Sequence, residues 1–245
     1  MSQPTPTALP FASGWYSFDL GQYRPCNGTY CLSAYDSLPP LTDVPLDGSF
    51  RWLTPLSDQH NQGMEIYRPS AEARAKLIGR MDAITQQAQQ LGIALPVGFA
   101  AFMTNPALQD RIPSCTACEF ALPQRIARSV ADDDGYLISF LHDQQDVLLW
   151  YLYLTPTGAQ RVVVSPYDYD GDDDDAAAPG HVPADDGKLT EQQRAAIIAN
   201  TFVCAPTFEA FLYRFWLENT IWFALNDGTP LTDEHQRYVA HYQPR

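Results

Sequence analysis

GYLISFLHDQQDVLLWYLYLTPTGAQRVVVSP (residues 135–166) holds three apolar runs rich in aromatic or β-branched residues, separated by two short polar gaps. Runs of this kind, bounded by turn chemistry, read as strands. The gaps, Asp143 to Asp146 and Thr155 to Gly158, each have the length of a hairpin loop, so the strands form an antiparallel meander. The middle run, Val147 to Leu154, has no polar alternate position. Both of its faces are therefore expected to be covered, which makes it a central strand. These residues describe a sheet and its packing, and they carry no evident catalytic chemistry.

Working outward, the meander is preceded by an acidic loop, Ser129 to Gly135, and by an alternating stretch, Thr116 to Leu122, that predicts a further strand. Ser70 caps a helix whose apolar positions Leu77, Ile78, Met81, Ile84, Ala88 and Leu91 recur at spacings of three and four, and Gly92 ends it. A shorter helix starts at Pro96 and stops near Thr104. After the meander, Thr190 with Gln193 matches a capping box. A strand fragment, Phe202 to Cys204, then leads into a Thr207-capped helix so apolar that it must be buried on more than one side. Arg214 and Glu218, four apart, are expected to pair on its exposed rim, worth about 0.3–0.5 kcal/mol. A last helix begins at Pro230 and Thr232 and ends near His241. Helices around a mainly antiparallel central sheet make an α+β domain.

The organisation expected is an arm, residues 1–58, packed on a body, residues 59–245, with an acidic insertion at 167–188. The arm is proline-punctuated and carries Trp15, Tyr16, Phe18, Tyr23, Tyr30, Tyr35, Phe50 and Trp52. That aromatic content argues for one or two short strands wrapped on the body rather than a disordered tail. The insertion, of low complexity and without an apolar pattern, is expected to be flexible.

The net charge is −14; without the eight aspartates at 168, 170, 172–175, 185 and 186 it would be −6. Such a chain is repelled by nucleic-acid phosphate and anionic lipid, so neither nucleic acid nor membrane is expected as a direct partner, whereas a basic protein is electrostatically easy. No apolar stretch approaches the ~20 residues of a membrane span. Met1 to Pro10 lacks the pattern of a secretory signal, so a cytoplasmic location is expected. There the five cysteines would be thiols or metal ligands rather than a disulfide framework.

Phosphate-binding, dinucleotide-binding, nucleophile-elbow and two-histidine zinc motifs are absent from the sequence. Cys115-x-x-Cys118 and Cys26-x4-Cys31 could together hold a zinc ion if the arm folded back onto the strand, but neither pair has the Gly- or Pro-bearing knuckle that turns backbone toward a metal. Buried apolar thiols are the preferred reading, with no metal and no cofactor. His142, Asp143 and Asp146 fall in a hairpin loop, where such residues are ordinary turn formers. The run from Asp168 through Asp170, Asp172, Asp173, Asp174 and Asp175 fails as an EF-hand, because Gly171 is fourth rather than sixth and Pro179 occupies position twelve. A solvated spacer, an electrostatic docking segment for a basic partner and a loose cation site remain.

Taken in order, Leu95-Pro96 before a Phe-bearing helix, CEFAL (residues 118–122), FLHDQQDVLLWYL (residues 140–152) and FEAFLYRFWLEN (residues 208–219) resemble the SUKH superfamily, which includes the fungal Smi/Knr cell-wall regulators. The resemblance spans about Pro69 to Tyr242 and leaves out the arm and the aspartate run. It implies an α+β binding scaffold with no shared catalytic residues. Many bacterial members are immunity proteins that neutralise toxin domains by direct binding, and the fungal members are regulatory partners. The expectation is a non-enzymatic protein-binding domain, immunity-like, docking a basic toxin domain through the aspartates. The alternatives are a regulatory scaffold in a larger complex, or an enzyme with a site near His142.

Overall fold

The structure, a computed structural model, describes residues 9–41, 44–56, 70–169, 180–183 and 189–242. The arm contributes three short strands, β1 (Ala12–Ser13), β2 (Trp15–Ser17) and β3 (Cys31–Ser33). Helix α1 (Ala71–Leu91) begins where the Ser70 side chain accepts from the Ala73 amide and ends at Gly92, which takes the left-handed conformation that glycine adopts without steric cost. Then come α2 (Phe99–Met103) and α3 (Pro106–Gln109), the second capped by Asn105. Next are β4 (Glu119–Phe120), β5 (Ala127–Arg128), and the meander β6 (Tyr136–His142), β7 (Leu149–Leu154) and β8 (Gln160–Ser165). Helix α4 (Glu191–Ala199), strand β9 (Phe202–Ala205), helix α5 (Phe208–Asn226) and helix α6 (Asp233–Val239) complete the order, with a terminal 3-10 turn at Ala240–Tyr242.

Seven strands make one sheet in the order β1-β9-β8-β7-β6-β4, with β5 also on β6, while β2 and β3 pair separately. All neighbours are antiparallel except β1, which runs parallel to β9. The fold is α+β, as expected. Strand β7 is central and buried at every position. Val147 is the exception within its run: it belongs to the preceding turn and is 51% exposed.

Period-two alternation divides β7 between two cores. Trp150, Leu152 and Leu154 face the larger one with α5, α1, α2 and the arm. Leu149, Tyr151 and Tyr153 face a smaller one with Phe11, Tyr169, Val182 and Ile197 of α4. On the larger side, Phe208 packs against Phe99, Phe140 and Phe102 at centroid distances of 4.9, 5.1 and 5.7 Å. Such edge-on pairs add about 0.5–1.5 kcal/mol each beyond the area they bury.

Three expectations need correction. The strand foreseen from Thr116 to Leu122 is only two residues long, because Ala117 has φ +52° and breaks the extended run. The ends of the acidic insertion are not free of apolar pattern: Tyr169 and Val182 are each 2% exposed, and Asp168 and His181 form a β-bridge. Arg214 and Glu218 are 3% and 0% exposed and do not form a solvated rim pair, because the face of α5 turned away from the sheet lies beneath the arm.

Candidate interaction surface

The polar residues of α5 are the points at which the arm is fastened. Glu209 accepts from the Gly48 and Phe50 amides and from Trp52 Nε1, at 2.6, 3.3 and 2.9 Å. Arg214 donates to the Pro39 carbonyl and the Tyr238 hydroxyl, both at 2.9 Å. Glu218 accepts from Trp15 Nε1, from both Arg24 terminal nitrogens and from Tyr238. Burial by itself pulls the pKa of the Arg24 guanidinium down, but the Glu218 carboxylate beside it more than offsets this, and the net shift is upward. Asn219 receives the Cys115 amide at 2.7 Å. Sequence reasoning missed this set, because each partner lies far along the chain.

The other sheet face anchors the 132–134 loop and Asp168, the root of the aspartate run. Tyr153 donates to Asp132 Oδ2 at 2.9 Å, fastening the loop that holds Asp132, Asp133 and Asp134. Burial, then Asp132 and Asp134, push the Tyr153 phenol up. Two residues earlier on the same face, Tyr151 donates to the Tyr167 carbonyl at 3.0 Å and accepts from the Tyr169 amide at 3.3 Å. The Tyr151 and Tyr169 rings meet edge-on at 5.2 Å, and burial pushes the Tyr169 phenol up to about 12. Asp168, at the root of the aspartate run, exchanges backbone hydrogen bonds with Gly180 and Val182. Neighbouring side chains of one strand face thus seat both aspartate-bearing segments, about 7 Å apart along β7. Asp170, Asp172, Asp173, Asp174 and Asp175 lie outside the described residues.

His142 Nδ1 lies 2.9 Å from Asp146 Oδ1 across the β6–β7 turn. Both line a shallow pocket of about 210 Å3 together with Asp168, Ser139 and Arg80. Asp143 takes no part in it. Buried to 4% exposure, it accepts from the Tyr30 hydroxyl at 2.7 Å and from the Gln145 amide at 2.9 Å, as a turn-forming aspartate does.

The cysteines divide differently from the expectation. Cys26 and Cys31 are joined by a disulfide, which corrects the reading of all five as thiols or metal ligands. Two of the four thiolates of the zinc alternative are thereby removed, although the arm does fold back as that alternative required: the Tyr30 hydroxyl lies 3.8 Å from Cys118 Sγ. Cys115, Cys118 and Cys204 are free, and burial raises the pKa of each thiol. Among the described residues no group of three or more His, Cys, Asp or Glu side chains is placed to hold a metal, and no helix is long and apolar enough to cross a membrane. No protein-family model, no curated protein and no solved structure matches this chain.

Proposed function

We propose that the chain is a non-enzymatic protein-binding domain that neutralises a basic toxin domain by direct contact, as the resemblance to SUKH immunity proteins implies. One observation carries the reading beyond that resemblance: Tyr151 and Tyr153 seat the roots of two aspartate-bearing segments side by side on one sheet face. Charge gathered in this way mainly raises the association rate and makes it sensitive to salt.

The test is direct binding to the candidate basic toxin domain at low and high salt, with Asp172, Asp173, Asp174 and Asp175 replaced by Asn. Association at low salt should slow by about tenfold or more, with the dissociation rate and the melting temperature little changed. An association rate indifferent to both salt and these substitutions would remove the electrostatic docking surface. Failure to bind any basic toxin domain encoded beside the gene would remove the immunity role.

A cytoplasmic site of action belongs to this reading. The Cys26–Cys31 bond stands against it, because disulfides persist in oxidising compartments. Alkylation of intact cells followed by mass spectrometry decides: Cys26 and Cys31 recovered as free thiols support the cytoplasm, and recovery as the disulfide supports an oxidising compartment. The reading as an enzyme at His142 rests on the shallow pocket it shares with Asp146 and Asp168, and is abandoned if His142→Ala leaves the protective phenotype intact.

A further inference from the structure

Away from the sheet, α5, α6 and the arm enclose a cleft of about 690 Å3. This lies within the roughly 300–1,000 Å3 typical of sites for small organic ligands. Pro39, Pro40 and Leu41 line it from the arm and Tyr213 from α5, while Glu234, Arg237 and His241 supply its ionisable groups. The apolar part suits a ring laid on the prolines, since Tyr213, 4% exposed, is already stacked on Trp216 and met edge-on by Trp52.

The polar part selects further. Glu234 and Arg237 stand three apart on α6, so their Cβ atoms are about 5–6 Å from each other on one helix face. Glu234 accepts the Tyr213 hydroxyl through Oε1, leaving its second oxygen for another donor. Arg237 lines the same cleft as Tyr213, yet it is absent from the hydrogen bonds and ion pairs formed among the described residues. His241 donates Nε2–H to the Ser37 carbonyl at 3.2 Å and ties the last turn to the arm across the cleft. An unengaged guanidinium beside an apolar slot, one helical turn from a carboxylate acceptor, matches a molecule with an anion, an N–H donor and a ring close together.

We propose that this cleft binds an aromatic α-amino acid, either free or as the C-terminal residue of a short peptide. The α-carboxylate is received by Arg237, the α-nitrogen donates to Glu234, and the ring lies on the arm prolines Pro39 and Pro40. This goes beyond the protein-binding reading and does not depend on it.

The probes are L-phenylalanine, glycyl-L-phenylalanine and L-phenylalaninamide, which lacks the carboxylate. They are titrated against the full chain by calorimetry and saturation-transfer NMR. At least one acid should bind, with the amide weaker by about tenfold for the lost charge-assisted hydrogen bonds. The tighter of the two acids identifies the source. Arg237 is solvent-exposed, so Arg237→Gln should fold normally by circular dichroism and should abolish the preference for acid over amide. Absence of binding by both acids, or an acid preference that survives in Arg237→Gln, overturns the proposal.

Discussion

Glu218 has a fully buried carboxylate that accepts four hydrogen bonds, from Trp15, Tyr238 and twice from Arg24. Such a group is tolerated only while every partner is present, since removing one side of a buried pair leaves an uncompensated charge. Glu218→Gln keeps the volume and removes the charge facing Arg24. It should destabilise the fold by about 3–5 kcal/mol, measured by urea denaturation. Replacing Arg24 as well should cost less than the two single losses combined, because the charges are coupled. The sequence pointed elsewhere for this residue. Its spacing of four from Arg214 suggested a helix-surface pair, while the partner found is 194 residues away in the chain. Local periodicity holds no information about an arm that returns over the helix. The one available hint was a polar residue at each turn of an otherwise apolar helix.

Among the elements, helix starts are legible in the local sequence. Ser70, Thr190, Thr207 and Thr232 each cap the helix that follows them, and Thr190 with Gln193 forms the capping box. The apolar run ending at Leu154 forms the central strand. Two features not foreseen exist through a distant partner, β1 against β9 and the seam between the arm and the start of α2; β5 pairs with the adjacent β6, but at two residues it is too short to leave a pattern in the sequence. That seam is a glycine contact. Gly98 has φ +81°, and a Cβ there would come within 2.8 Å of the Gly48 carbonyl oxygen and 2.9 Å of its Cα. Gly158, in the β7–β8 turn, has a similar φ of +88° but open space around it. Alanine at Gly158 should therefore bear only the backbone strain, about 1–2 kcal/mol. Alanine at Gly98 should cost at least about 2 kcal/mol more, since the arm backbone must move and with it the amides that hold Glu209. Equal losses in thermal and urea melts of the two variants would mean that the seam is slack.

For the whole molecule, the question is whether residues 1–58 are an appendage or part of the body. Trp15, Phe18, Leu20, Leu38, Phe50 and Leu53 are at most 6% exposed and belong to the same core as Phe211 and Trp150. Each large side chain so placed is worth about 1.5–3 kcal/mol of burial. Together, at about 9–18 kcal/mol, they are as large as the whole 5–15 kcal/mol by which an ordinary domain is stable. Deletion of Met1 to Asp58 would also expose Glu209, Arg214 and Glu218 of α5, with most of their partners gone. The shortened chain should lose near-ultraviolet circular dichroism and cooperative unfolding, and should bind a dye for exposed apolar surface. The alternative of a regulatory scaffold that offers the arm to a partner requires the opposite outcome: a stable body that has lost its binding. A cooperative melt of the deletion variant within a few degrees of the full chain would favour that alternative. An unfolded one leaves the 132–134 loop and the root of the aspartate run at Asp168 as the surface near which a partner is to be sought.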